Sequence, residues 1–316
     1  MKSQVYYIVC LDLLDGKFCY KKIGVNMKIR AEQMTKFVPW VALLPAFLFL
    51  LLVTLYPFIY TVIISTFSWY LPTTKSFVGI KNYIDVLTDT EFLSALWRSI
   101  YFTVGCLFLE HFLGLFLAIL LSSIKKLRDI LTTAFMIPMM LPPVVSALIW
   151  KLMFRPNTGV LNYFLRLLNI SPQLWIHGKH SVIPSIILVD LWQWTPFVML
   201  ILLGGLNSIS NDIYEAADID GAGFRDVLFN ITIPLLKPFF VITILLRFIY
   251  VFTTFDIIMS LTAGGPGHAS ATIYFMGYLN SFEFLQMGRG ATWNIIVFIG
   301  TFIICSFLVN KIFKRS

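Results

Sequence analysis

Residues 215–234 read EAADIDGAGFRDVLFNITIP, four acids and one arginine set between two of the most apolar runs in the chain. Such a polar interruption makes physical sense if the runs beside it are buried in something apolar and the interruption itself lies outside. Composition points the same way. Of 316 residues, 58% are apolar and only 13% are charged, and the mean hydropathy is +0.83. A soluble domain carries roughly 25% charged residues to cover its surface. The chain therefore reads as an integral membrane protein. Its length divides into spans of about 20 residues, the hydrocarbon thickness at helical rise.

Six segments are long enough to cross: Phe37 to Phe67, Ser99 to Ile124, Ile130 to Phe154, Val182 to Leu206, Pro238 to Leu261 and Ala291 to Phe313. Lipid requires every backbone polar group to be satisfied within the protein, and the alternation of a barrel strand is absent, so the fold class is all-α. Prolines at 45, 57, 142, 143, 184 and 196 predict kinks. With both termini inside, fifteen lysines and arginines fall on the inner side, among them Lys21, Lys22, Lys125, Lys126, Arg128, Arg225 and Lys314, and eight on the outer. The net charge of +8 is then a topology signal, which removes nucleic acid as a partner. The opening segment lies in the cytoplasm.

The first 36 residues read as a cytoplasmic tail. Their apolar patch VYYIVCLDLL is broken by Asp12 and is followed by no cleavage signal, and Met27 offers an alternative start. Residues 37–316 form the membrane domain. Cys10, Cys19, Cys106 and Cys305 are scattered, so no disulfide framework or metal site is predicted. The loop from Arg155 to His180 is the largest on the outside, and LNYFLRLLNI within it predicts a short interfacial helix capped by Asn157 or Thr158.

The segment at 210–235 can be read locally. Ser210, Asn211 and Asp212 are N-cap candidates, and Asp212 and Glu215 suit a helix N-terminus. A short helix through Ala216 and Ala217 would stop at Gly221. Phe224 to Phe229 would add another turn or two before Pro234 opens the next element, with Pro238 near the start of the fifth span. On shape alone this is a connector lying along the membrane surface.

The letters say more. Glu-Ala-Ala, three residues, Gly221, nine residues, Ile231, one residue, Ile233 and Pro234 is a pattern that resembles the "EAA" loop of ABC importer permeases, with Ile233 where leucine is common. The aromatic stretch LWQWTPFVMLILLGGLNSI before it, and Gly264, Gly265 and Pro266 after it, resemble the sugar-importing branch, and the Gly-Gly-Pro turn its first sister permease. The resemblance implies a type I importer fold with six spans and a cytoplasmic coupling helix. It implies that Glu215, Ala216, Ala217, Asp220, Gly221 and Pro234 form the surface that meets a cytoplasmic ATPase dimer, with Glu215 facing a basic group there. It further implies a heterodimer with a sister permease, an extracytoplasmic solute-binding protein docking on the outer loops, and a bacterial or archaeal cell membrane. The chain would have no catalytic residue and no cofactor of its own, ATP and magnesium being bound by the ATPase.

Polar residues within spans are functional candidates. Asp190, Gln193, Trp194 and Phe197 share one helix face, as do Arg247, Tyr250, Val251 and Thr254. By the resemblance, Gln193, Trp194 and Phe197 with Arg247, Tyr250, Val251 and Thr254 would hold a sugar. Aromatic faces stack on its C–H surfaces, and amide and hydroxyl groups bond its hydroxyls. Arg247 either pairs with Asp190 or Glu110, or meets an anionic cargo such as a uronate oligosaccharide or glycerol phosphate. Asp256, nine residues on, projects from the opposite face. A different class, an ion-coupled secondary transporter using Glu110, Asp190 and Asp256, predicts inverted repeats that the sequence does not display. An enzyme finds no nucleophile–base pair.

Overall fold

The computed structural model describes the backbone of residues 7–11, 18–22, 27–124 and 126–313, and the side chains of residues 40, 42–124 and 126–310. It divides into two compact units, Met1–Tyr60 and Thr61–Ser316. The first holds an antiparallel hairpin, β1 (Tyr7–Leu11) and β2 (Phe18–Lys22), within the segment read as a tail, and most of helix α1 (Met27–Ser65).

The second unit continues with a two-residue strand pair, β3 (Phe67–Ser68) and β4 (Ser76–Phe77), then α2 (Lys81–Leu87), α3 (Thr90–Ser123) and α4 (Arg128–Met136). Helices α5 (Pro143–Met153), α6 (Val160–Leu167), α7 (Val182–Asn207), α8 (Asn211–Ile219) and α9 (Phe224–Asp226) follow. The last are α10 (Ile233–Phe252), α11 (Asp256–Leu261), α12 (Ile273–Tyr278) and α13 (Met287–Phe313).

Among the described residues, five helices are long and apolar enough to cross a membrane: Ala42–Ser65, Thr90–Ser123, Val182–Asn207, Phe224–Phe252 and Met287–Asn310. The sixth expected span, Ile130 to Phe154, is broken into α4, a 3-10 turn Pro138–Met140, and α5. Prolines 138, 142 and 143 supply no backbone N–H to an α-helical ladder, and Pro143 instead opens α5, where the missing donor is harmless. The expected fifth span also shifts. Helix runs through Pro234 and Pro238 from Phe224, with a π turn at Val227–Thr232, and stops at Phe252, short of Leu261. A widened turn ahead of Pro234 accommodates the ring that would break an ordinary α turn.

Helices α3, α7 and α10 form the centre. Residues 105, 110 and 114 of α3 meet 187, 190 and 198 of α7 in ascending order, so those two helices run parallel. His111 and Glu110 meet Thr243 and Arg247, so α10 runs against them. The α3–α7 approach is close because of Gly114. A Cβ there would lie 2.8 Å from Val198 Cγ1 and 3.1 Å from the backbone nitrogen of Met199. Small residues allow this backbone proximity where no hydrophobic effect drives helices together. The loop carrying α6 is ordered by Asn162, which is fully buried and accepts from Trp175 Nε1 at 2.9 Å and from the Gln173 N–H at 3.0 Å. The cap of α6 is Gly159, with no side-chain bond, rather than Asn157 or Thr158.

Candidate functional site

Two sites emerge, one at a bundle end and one inside. At the end, Ser210 caps α8 by accepting from the Asp212 N–H. The helix closes in a Schellman turn: Gly221 N–H bonds Asp218 O at 3.1 Å and Ala222 N–H bonds Ala217 O at 2.9 Å, with Gly221 at φ 72°. The glycine is there for geometry, since the left-handed region is unfavourable to a Cβ. The Gly223 N–H then meets the Asp226 carboxylate at 3.3 Å. Glu215, Ala216, Asp220 and Gly221 are exposed, Pro234 is half-buried, and Ala217 turns inward at 6% exposure. The outward surface also carries Ile219, 87% exposed, and Phe224, 71% exposed, which the sequence reading did not single out.

Inside, Arg247 donates from Nε to Glu110 Oε2 at 2.7 Å and from Nη2 to Glu110 Oε1 at 2.5 Å. The same Nη2 reaches Asp190 Oδ2 at 2.5 Å. All three side chains are essentially fully buried, so one guanidinium joins α3, α7 and α10. The open alternatives for Arg247 resolve into both carboxylates at once. The face-to-face ligation is bidentate on Glu110, which suits the planar fork of arginine. Cys106 Sγ and carboxylate oxygens of Glu110 and Asp190 lie within 4.8 Å of one another, a grouping invisible in the cysteine spacing. The resident cation there is Arg247.

The guanidinium also faces two rings, Trp194 at 4.8 Å and Tyr250 at 5.2 Å. Those rings contact each other at 4.6 Å, and Trp194 meets Phe197 edge-on at 6.2 Å. Gln193 is buried, and its Nε2 donates to Leu141 O at 2.9 Å, so the amide closes the carbonyl freed by the break before α5. Val251, 1% exposed, packs in the core, and the Thr254 hydroxyl donates to Tyr250 O at 3.0 Å. Tyr250 and Thr254 line a cavity of about 480 Å³ that extends to Tyr274, Tyr278, Phe282, Asn294 and Asp256. Of the seven predicted cargo residues, the structure thus brings Trp194, Phe197, Arg247 and Tyr250 into one chain of contacts, and uses Gln193 and Val251 for packing and helix repair.

Residues 111–316 match the family described as binding-protein-dependent transport system inner membrane component. The chain belongs to this family. The trehalose/maltose transport system permease protein MalF of Thermococcus litoralis is 38% identical over 225 residues, 71% of this chain and 76% of that one. The arabinooligosaccharides transport system permease protein AraP of Bacillus subtilis is 33% identical over 84% of this chain and 85% of its own. Among solved structures, a chain from a bacterial alginate ABC transporter, in complex with an alginate pentasaccharide-bound periplasmic protein, superposes with a TM-score of 0.77 over 88% of this chain and 94% of its own. At 18% identity that likeness speaks for the type I importer fold alone.

The chain is thus an inner-membrane permease component of an ABC transport system. In the permease, the polar stretch 215–234 links the C-terminal end of α7 to the start of α10, two of the helices that carry the buried arginine cluster. Helix α7 carries Asp190 and Gln193 and then, past Asn207, leads within a few residues to the Ser210 cap. Helix α10 begins at Ile233, with the last two residues of the stretch, and carries Arg247. Short connections therefore join α8 to two of the three helices that hold the cluster.

Proposed function

We propose that the permease forms, with a sister permease, the membrane pathway of an ABC importer for a saccharide handed over by an extracytoplasmic binding protein. Helix α8 and the turn at Gly221 dock on an ATPase dimer, which alone binds ATP and magnesium. Closure of that dimer on ATP moves α8 and, through α7 and α10, switches the bundle between two states. The observation that carries the reading is an exposed, capped helix bearing Glu215, Ala216 and Ile219 at the ends of two helices that meet in a buried polar cluster. Two relatives named for transport of trehalose/maltose and arabinooligosaccharides support the saccharide, as do the rings of Trp194 and Tyr250 and the cavity beyond them. On this reading the ends of the chain and α8 face the cytoplasm.

The test is uptake by proteoliposomes holding the full complex. Saccharide supplied with its binding protein should accumulate only when ATP is enclosed with the ATPase. Accumulation driven by an ion gradient without ATP would overturn the proposal in favour of a secondary transporter.

A further inference from the structure

The open matter in the proposed function is the charge of the cargo. We infer that it is an uncharged oligosaccharide, read as uncharged in the cavity walled by Tyr250, Tyr274, Tyr278, Phe282, Asn294 and Asp256; this inference rests on the saccharide-importer reading. Three observations lead to it.

The first is the state of Arg247. An anionic saccharide crossing an apolar bundle loses its hydration and needs a cation in return. Arg247 is the residue in α10 that an anion would need, and Glu110 and Asp190 already hold its Nε and Nη2. Two carboxylates face one guanidinium, so the cluster has no spare positive charge even if one of the acids holds a proton. What remains without a protein partner is two buried donors, Arg247 Nη1 and Trp194 Nε1, and two buried acceptors, Gln193 Oε1 and Asp190 Oδ1. A hydroxyl both donates and accepts, whereas a carboxylate or sulfate only accepts.

The second is the charge of the cavity wall. Among the nine side chains that line the 480 Å³ space, Asp256 is the one acidic residue, and none is a lysine or arginine. A carboxylate beside a low-dielectric cavity repels a uronate and accepts hydrogen bonds from a neutral sugar's hydroxyls. Asn294 adds an amide able to do both.

The third is the aromatic wall. Phe255 and Tyr278 are 4.8 Å apart, Tyr278 and Phe282 5.4 Å, and all three rings border the cavity. Such a run offers several stacking faces to consecutive sugar rings, as a chain of units requires and a small polyol phosphate does not. Apart from Tyr250 and Thr254, the lining comes from α11, α12, α13 and the turns beside them, beyond the two helix faces that the sequence pattern marked out. The alginate transporter, which imports an acidic polysaccharide, shares this fold, so the fold itself does not decide the charge.

Equilibrium binding to the purified complex without its binding protein tests the inference, since the binding protein's own selectivity then drops out. The probes are radiolabelled maltotriose and trigalacturonate, matched in length. Maltotriose should bind at least about tenfold more tightly, and Asp256→Asn should shrink the ratio severalfold by improving trigalacturonate. Tyr278→Ala should weaken maltotriose about tenfold, while Tyr278→Phe, which keeps the ring, should retain it. Equal or tighter binding of trigalacturonate, an unchanged ratio in Asp256→Asn, or no binding of either trisaccharide would overturn the inference. None of these results touches the importer reading, which stands or falls on ATP-dependent uptake.

Discussion

A buried arginine with two carboxylates is held by balance, and each partner can be removed separately. Arg247→Ala would leave Glu110 and Asp190 buried at 0% exposure without their counter-charge. Breaking such a cluster from the cation side should destabilise the permease by about 3–5 kcal/mol. Glu110→Gln keeps the Asp190–Arg247 contact and an acceptor near Nε, so its loss should be about 1–3 kcal/mol. Thermal unfolding of the detergent-purified complex should rank wild type above Glu110→Gln, and that above Arg247→Ala; the reverse order would remove the cluster from the stability of the bundle. A smaller effect belongs to Gly221. At φ 72°, with open space around a would-be Cβ, Gly221→Ala meets backbone strain and no clash, and should cost about 1–2 kcal/mol. Gly221→Asn, which tolerates this region better, should cost less.

Elements depend on how closely their backbones approach. Gly114 on α3 lies against a backbone atom of α7, so Gly114→Val should force the helices apart and destabilise by about 1–3 kcal/mol. At Gly105 a Cβ at 2.7 Å meets only the end of the Ile187 side chain, which can rotate away. Gly105→Ala should therefore leave the unfolding temperature nearly unchanged, and a loss as large as that of Gly114→Val would contradict this account of the interface. The apolar runs that become α3, α7 and α13 were legible because hydropathy alone marks a helix in lipid. The break at residues 137–142 was not, because a run of apolar residues with prolines reads equally as a kinked span or a broken one. The choice depends on a partner for the freed Leu141 carbonyl, and that partner, Gln193, is 52 residues away. The same distance in sequence explains the cargo site. Periodicity placed Gln193 and Val251 on the right faces, but only packing shows one repairing a helix and the other filling the core. The cavity wall at Tyr274, Tyr278 and Phe282 comes from a short helix and the turn after it, with no period to read.

At the scale of the whole molecule, the proposed function asks one chain to receive force at one end and act on cargo in the middle. The Glu-Ala-Ala spacing carried that reading because the residues of one short helix are close in sequence and survive as a local pattern, whereas a cluster such as Glu110–Arg247, 137 residues apart, does not. The surface at α8 presents Glu215 between the exposed Asp212 and Asp218, with Ile219 and Phe224 exposed nearby. A charge on such a surface, desolvated when docked, contributes to both fit and orientation. Glu215→Lys reverses that charge while leaving the Ser210 cap and the Gly221 turn intact, and Glu215 has no ion-pair partner among the described residues. Folding of the isolated permease should accordingly be unaffected, with unfolding temperature within the range of a surface substitution. Assembly with the sister permease should persist. Saccharide uptake should fall by at least about tenfold, because a like charge now meets the basic group expected on the ATPase. Uptake, ATPase rate and melting temperature measured on the same preparation separate the cases: lost uptake with an unchanged melt places Glu215 in coupling, and unchanged uptake would assign α8 to a connector lying on the membrane surface.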